Sequence, residues 1–448
     1  MKDNQFMKLG SDAAALAVKM GADEAEVYIL NSRDLNIQVA NQEINNIKFA
    51  QERGLGIRVF KNKKMGFSFS SDLSQTAVDK MVHQALANAD KTEEDQFLSL
   101  PEKTERYTQL DLFDPRIHET SLEEKISLAK EIEGWAKKYD SRIKITERSS
   151  YEDSFYEIFI ANSLGLEAYY QGAYCGGYAL VVGEEKGESQ TGFGMQYSLK
   201  YQDLDPEKIG KEAGQRAVRL LGAKTINSQK AAIVLEPYIA TNFLGLISPA
   251  LSAEAVEKGK SFLAGKVDQK VASNLINIID DGSMEGRILS APFDGEGTPT
   301  SKTILIEKGV LKGYLHNTYT GKKAGVKSTG NGVRGTYRST PEVGTTNFYV
   351  AGGSGSQEEL IKSTAKGLYV TDVMGMHTAN PISGDFSLGA SGIWIENGEF
   401  TVPVRGIAIA GNIKDILQNI DKVADDLTFF VGKGSPTIRI NNISISGS

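Results

Sequence analysis

Twice within its first 222 residues this chain spells out the same order of elements: a helix, a series of strand-like runs and a second helix. A sequence that returns to one order of elements is constrained to build two similar α+β units and to bury the apolar side of each. The first pass opens with a small-residue helix at Ser11–Met20. Strand-like runs follow at Glu26–Leu30, Asp34–Val39, Ile44–Ala50, Leu55–Phe60 and Met65–Ser70, separated by Asn, Gly and Lys turns. Ala77, Met81, Ala85 and Ala89 recur every four residues and mark the closing helix, with Asp72 or Ser74 available as its N-cap. The stretch Lys91–Arg116 is charged, contains Pro101 and Pro115, and reads as a linker.

In the second pass Leu122, Ile126, Ala129, Ile132, Ala136 and Tyr139 form a helical stripe. Strands are expected at Arg142–Glu147, Tyr156–Asn162, Leu166–Tyr170, Gly177–Val182 and Glu188–Leu199. Asp205-Pro206-Glu207 then starts a helix: Asp caps, Pro fills the first turn and Glu favours the positive end of the dipole. From Lys224 onward the chain turns to glycine-rich strands, with hairpins predicted over Thr303–Leu315, turning at Glu307-Lys308-Gly309, and Gly392–Val404, turning at Asn397-Gly398. Helices are expected near Gln357–Lys366 and Asn412–Ile420, and a final strand over Thr437–Ser446. The expected fold is α+β: a duplicated helix–antiparallel meander–helix unit over 1–100 and 115–222, then a mostly antiparallel β-rich domain with inserted helices over 224–448.

Composition narrows the function classes. A chain of 448 residues exceeds one ordinary core, so two or three domains are expected. Net charge is −7 without a basic stripe, which argues against direct nucleic-acid binding; Lys61-Asn62-Lys63-Lys64 reads as a solvated hairpin turn. No apolar run approaches the ~18 residues of a membrane span. Met1–Ala22 fits neither a secretory signal nor a transit peptide. A single cysteine, Cys175, suits a reducing compartment, so the expected location is cytoplasmic; the residue reads as buried packing.

Four histidines, His83, His118, His316 and His377, are too far apart in sequence for any helical i, i+4 metal pair. A metal site would have to be assembled from His316 and His377 with Asp294 or Glu296. Gly295-Glu296-Gly297-Thr298 and Ala351–Ser356 lack the ending and setting of a phosphate loop and read as turns. In Phe293–Thr300, Asp294 and Glu296 either line a peptide cleft, where glycines admit a backbone, or satisfy the N–H groups of a sharp turn.

Phe293-Asp294-Gly295-Glu296-Gly297-Thr298-Pro299-Thr300, Ile306–Leu315, Ser328-Thr329-Gly330-Asn331 and Ile382–Ser387 follow one another in order. With Leu388–Glu399 and Ile409–Asp415, they resemble the TldD/PmbA family, whose active assemblies are zinc-dependent peptidases. The family's metal-binding member carries His-Glu-x-x-x-His on a helix; here Leu244-Gly245 and Pro249 fall opposite those positions, and Phe429–Ser435 lacks its cysteine ligand. The chain is thus similar to the zinc-less PmbA (TldE) type. The resemblance implies no metal or other cofactor in this chain, no catalytic residue, and zinc in a TldD-like partner. It further implies a heterodimer with that partner, or a homodimer, around an extended peptide substrate that adds as a strand to a sheet edge. Peptide contacts fall on Asp294 and Glu296, and on Asn331 and Arg334 of the family's Thr-Gly-Asn-Gly loop, which reads equally as a surface loop. The rival readings are a non-proteolytic modulator of a gyrase-toxin system and a hydrolase with an unrecognised site.

Overall fold

The computed structural model describes residues 2–104 and 106–447. The N-terminal elements are α1 (Lys2–Lys19), β1 (Glu24–Ala40), β2 (Glu43–Lys61), β3 (Lys64–Ser70) and α2 (Gln75–Ala89). After the linker come a single turn α3 (Arg116–Glu119), α4 (Leu122–Tyr139), β4 (Ile143–Asn162), β5 (Glu167–Glu185), β6 (Glu188–Ser198) and α5 (Pro206–Val218). All six strands join one antiparallel sheet in the order β3-β2-β1-β4-β5-β6.

The five strand-like runs expected in each pass are therefore three long strands. Asn31, Ser32 and Arg33, which look like a turn in sequence, lie inside an unbroken ladder opposite Arg53, Glu52 and Gln51. The polar run between Glu147 and Tyr156 is likewise strand. Its side chains are polar because they meet other elements: Ser149 donates to the Ala129 carbonyl of α4 at 2.7 Å, and Asp153 pairs with Lys125 at 2.7 Å.

Odd-numbered residues of β1 face the helices. Val27 and Ile29 pack with α1 and α2, Ile37 and Val39 with α4. Ser121 and Glu124 form a reciprocal capping box at the start of α4, and the Asp205 side chain accepts from the Lys208 N–H at the start of α5. The even-numbered residues Tyr28 and Leu30 face the other way, in a cluster with Phe293 and Tyr337 of the C-terminal part.

The C-terminal part runs β7 (Gln229–Leu235), α6 (Pro237–Ile247), α7 (Ala253–Glu257), β8 (Ile278–Asp281), β9 (Lys302–Glu307), β10 (Val310–Leu311), α8 (Thr318–Ala324), β11 (Gly332–Val333), β12 (Glu342–Val343) and β13 (Phe348–Val350). It continues through α9 (Gln357–Lys362), β14 (Lys366–Met374), β15 (Asp385–Glu396), β16 (Glu399–Asn412), α10 (Ile413–Asn419), β17 (Ile420–Val423), β18 (Thr428–Phe430), β19 (Lys433–Ser435) and β20 (Ile438–Ser446). Strands β16-β15-β14-β7-β20 close into a barrel because β20 also pairs with β16, and β17 adds to β20. A second sheet has the order β10-β9-β8-β13-β19-β18. Pairing is antiparallel except for β7–β14 and β13–β19. Both expected hairpins form, with positive φ at Lys308 (46°) and Gly309 (78°) and at Asn397 (53°) and Gly398 (80°).

Candidate functional site

The even face of the N-terminal sheet and the loops of the C-terminal part meet over a buried charge network. Glu26 on β1 and Arg58 on β2 are direct cross-strand partners, so both side chains point into this seam. Arg58 donates to Glu26 at 3.0 Å and to Glu296 at 3.1 Å. Arg334 also donates to Glu26, and to the Gly295 carbonyl at 2.6 Å and the Ser339 carbonyl at 3.0 Å. The second Glu296 oxygen accepts the Thr318 N–H at 2.7 Å. Two acids and two guanidiniums thus neutralise one another where solvent does not reach. Unpaired, each would cost several kcal/mol.

Floor space for this seam comes from two glycines of β2. A Cβ on Gly54 would stand 2.2 Å from the Tyr337 ring, and one on Gly56 2.2 Å from the Tyr337 carbonyl. Glycine inside a strand here marks close approach of another segment.

Asp294 accepts the N–H groups of Glu296 (2.9 Å), Thr298 (3.0 Å) and Gly332 (2.8 Å), which locks the 293–300 turn to the 330–334 loop. Burial, reinforced by the Glu296 carboxylate, raises its pKa to about 8 against the pull of those N–H donors. Asn331 is equally committed: it donates to Asp280 at 2.7 Å and to the Gly344 carbonyl at 3.0 Å, and accepts from Thr329 at 2.7 Å. Burial raises the pKa of Asp280. Asp294, Glu296 and Asn331 are therefore buried, as is the side chain of Arg334, and all four are hydrogen-bonded. Asp294 and Arg334 line a cavity of about 390 Å³ with Tyr28, Tyr156, Tyr170 and Phe293; Glu296 and Asn331 lie outside that lining.

A larger cavity of about 620 Å³ separates α5 and β6 from the 286–288 loop and β18. Tyr139, Tyr197, Arg287, Phe429 and Phe430 line it, and the Arg287 guanidinium stands 3.8 Å above the Phe429 ring. Sequence reasoning missed this cavity because its walls come from segments more than 280 residues apart; the only local signal was the aromatic pair Phe429-Phe430.

On α6, Leu244 faces the C-terminal core, Gly245 offers no side chain, and Pro249 is exposed in the following 3₁₀ turn. The Lys433 ammonium lies 2.9 Å from where a Gly245 Cβ would be. These residues do not fit a zinc ion: none has a lone pair to give, and an ammonium repels a dication. His316 is buried with an unpartnered Nδ1, its pKa lowered by burial, and His377 is exposed in another 3₁₀ turn. Among the described residues, no three of His, Cys, Asp and Glu gather as a metal would require, so His316 and His377 do not assemble with Asp294 or Glu296. Cys175 is buried, and burial followed by the Asp153 charge raises its thiol pKa to about 12, far from an activated nucleophile.

Family models described as PmbA/TldA metallopeptidase match in three consecutive pieces: domain 1 over residues 25–89, the central domain over 115–221 and the C-terminal domain over 228–447. The chain belongs to the PmbA/TldD metallopeptidase family. It is 30% identical to Metalloprotease PmbA of Escherichia coli O157:H7 over 427 residues, covering 94% of this chain and 92% of that one. It is 29% identical to the Metalloprotease PmbA homolog of Haemophilus influenzae, over 100% of this chain and 97% of the relative. A candidate modulator of a DNA gyrase from Thermotoga maritima superposes with a TM-score of 0.91 at 31% identity, covering 98% of this chain and 100% of that one. TldE from Thermococcus kodakarensis superposes with a TM-score of 0.89 at 26% identity, covering 98% and 100%.

Proposed function

We propose that this chain is a zinc-less, PmbA/TldE-like subunit of a peptidase assembly that processes unfolded or extended peptides, the zinc being carried by a TldD-like partner. The observation that carries the reading is the Lys433 ammonium lying beside Gly245, on the helix that by the sequence resemblance corresponds to the one carrying the zinc motif of the family's metal-binding member. A cationic side chain with no lone pair, beside a helix that presents Leu244 and Gly245 and ends near Pro249, is the opposite of a ligand set. The reading includes a heterodimer with that partner, a homodimer being the alternative, and a cytoplasmic location. Among the described residues no helix is long and apolar enough to cross a membrane.

Within this reading the chain divides at 1–100, 115–222 and 224–448, and the first two parts are copies of one unit. Asp294 and Arg334 contact the peptide from the wall of the smaller cavity, with Glu296 and Asn331 holding the loops that carry them. Extended peptides fit because recognition through backbone hydrogen bonds tolerates many sequences.

The test is metal content and peptide hydrolysis of the dialysed chain, alone and mixed with a TldD-type relative. The chain alone should hold no stoichiometric zinc and cut no peptide, and should raise the partner's rate on mixing. One tightly held zinc per chain, or chelator-insensitive cleavage by the chain alone, would sink the proposal.

A further inference from the structure

The larger cavity takes no part in the peptide contacts proposed above, and its wall holds a cation that no carboxylate neutralises. Arg58, Arg216, Arg219, Arg334 and Arg439 each lean on an acid. Arg287 does not. It is half-buried in the cavity wall, and among the described residues its guanidinium makes neither an ion pair nor a hydrogen bond. Burial lowers its pKa, as expected of a charge that has lost water and gained no partner.

The guanidinium is also held in one orientation. It stands 3.8 Å above the Phe429 ring. That ring is fixed in turn by Tyr349, with 5.3 Å between centroids, and by the close passage of Gly434, where a Cβ would stand 3.0 Å from it. An arginine stacked on a ring keeps the edge of its planar fork free, and the fork matches the two oxygens of a carboxylate.

Around this fork the lining is aromatic or already committed. Phe430 packs edge-on to Tyr238 at 5.1 Å, and the Tyr197 hydroxyl donates to Glu152, which leaves its ring to the cavity. The one acid of the lining, Glu212, pairs with Arg216 at 2.7 Å, and Lys211 pairs with Glu207 at 2.6 Å. Lys208 adds a second positive charge without an ion pair among the described residues. Ring walls with a few placed polar groups, in about 620 Å³, suit a small organic molecule, and the excess positive charge selects an anion.

We propose that this cavity binds a carboxylate carried on a flat apolar body, the carboxylate taken edge-on by Arg287 and the body laid against Phe430 and Tyr197. A phosphate group would call for several converging donors, such as a nest of backbone N–H groups, where this site offers a single fork between rings. A free aromatic acid and the C-terminal end of a peptide share the required chemistry.

This inference concerns the chain alone and stands whether or not the peptidase reading does. Titration calorimetry of the purified protein should show phenylacetate and N-acetylphenylalanine binding at about millimolar or tighter, the range for well-placed molecules of that size. Acetate, which lacks the body, and N-acetylphenylalanine amide, which lacks the charge, should not bind. Arg287→Gln should weaken both acids at least about tenfold, and Arg287→Lys, which keeps the charge without the fork, should not restore them. Melting temperature should change little in either variant, since the guanidinium has no hydrogen bond or ion pair to lose. Tighter binding of N-acetylphenylalanine would mark a seat for a peptide's end, and tighter binding of phenylacetate a seat for a free acid. No binding of either acid, equal binding of the amide, inorganic phosphate binding as tightly as the acids, or indifference to Arg287→Gln would overturn the proposal.

Discussion

Arg58 and Glu296 are 238 positions apart in sequence, yet they form a buried ion pair at 3.1 Å that joins the N-terminal sheet to the C-terminal loops. Arg58 also serves Glu26, so one guanidinium holds two acids that solvent does not reach. Arg58→Met should therefore destabilise the protein by roughly 3–5 kcal/mol, the range for removing one member of a buried charge set. Urea unfolding measures it, and a loss under about 1 kcal/mol would mean that the seam admits water.

Two buried carboxyls should tilt the pH profile of stability in opposite senses. Asp294 has its folded pKa raised, so across the interval from the ordinary carboxylate pKa up to about 8 the folded state holds a proton that the unfolded chain has released. Stability from this group is full below that interval and falls as pH rises through it. Asp294→Asn cannot ionise. Its melting temperature should decline less between pH 5 and 8 than that of the unaltered protein.

Glu133 behaves inversely. Burial pushes its pKa up, but hydrogen bonds from Lys137 and from the N–H groups of Gln42 and Asn41 outweigh this and leave it lowered. The two backbone bonds, both 2.7 Å, clamp the β1–β2 turn, where Asn41 and Gln42 have φ of 54° and 63°. Its contribution is present above the ordinary carboxylate pKa and fades as pH falls through the lowered folded one. Glu133→Gln should lose about 1.5–3 kcal/mol at neutral pH, the worth of hydrogen bonds to a charged group, with the deficit narrowing in acid. Urea titrations at pH 7 and pH 3 compare the two.

Adding one methyl group should have unequal effects at two glycines. Gly54→Ala would drive a Cβ to 2.2 Å from the buried Tyr337 ring, an overpacking expected to cost about 1–3 kcal/mol. At Gly245 the nearest atom is the free end of the Lys433 side chain, which can swing away, so Gly245→Ala should stay within about ±0.5 kcal/mol. Melting curves of the two variants test the contrast; equal losses would show that Lys433 is fixed in place.

Local chemistry made much of the fold legible. Lys308-Gly309 and Asn397-Gly398 announced their hairpins because both central residues need positive φ, and Asp205-Pro206-Glu207 announced a helix because its caps are encoded in three neighbours. The long strands were harder: Asn31 and Ser149 are polar for tertiary reasons, and periodicity cannot separate a buried polar contact from a turn. The Glu26–Arg58–Glu296–Arg334 network was illegible altogether, since nothing local brings together the β1–β2 ladder and two C-terminal loops. Asp294 and Arg334 were picked out by a motif resemblance, and that motif could not reveal that the same two side chains also tie the 293–300 turn to the 330–334 loop.

The barrel has one more consequence, for the order in which the chain can acquire its structure. Its β7 strand, Gln229–Leu235, finds its antiparallel neighbour only in β20, Ile438–Ser446, and the same β20 closes the ring onto β16. The six-stranded N-terminal sheet, by contrast, needs nothing beyond Ser198 for its pairing. During synthesis the N-terminal sheet can thus form while the barrel still waits, its β7 edge open and its apolar residues Ile233 and Leu235 without their final cover, until β20 leaves the ribosome.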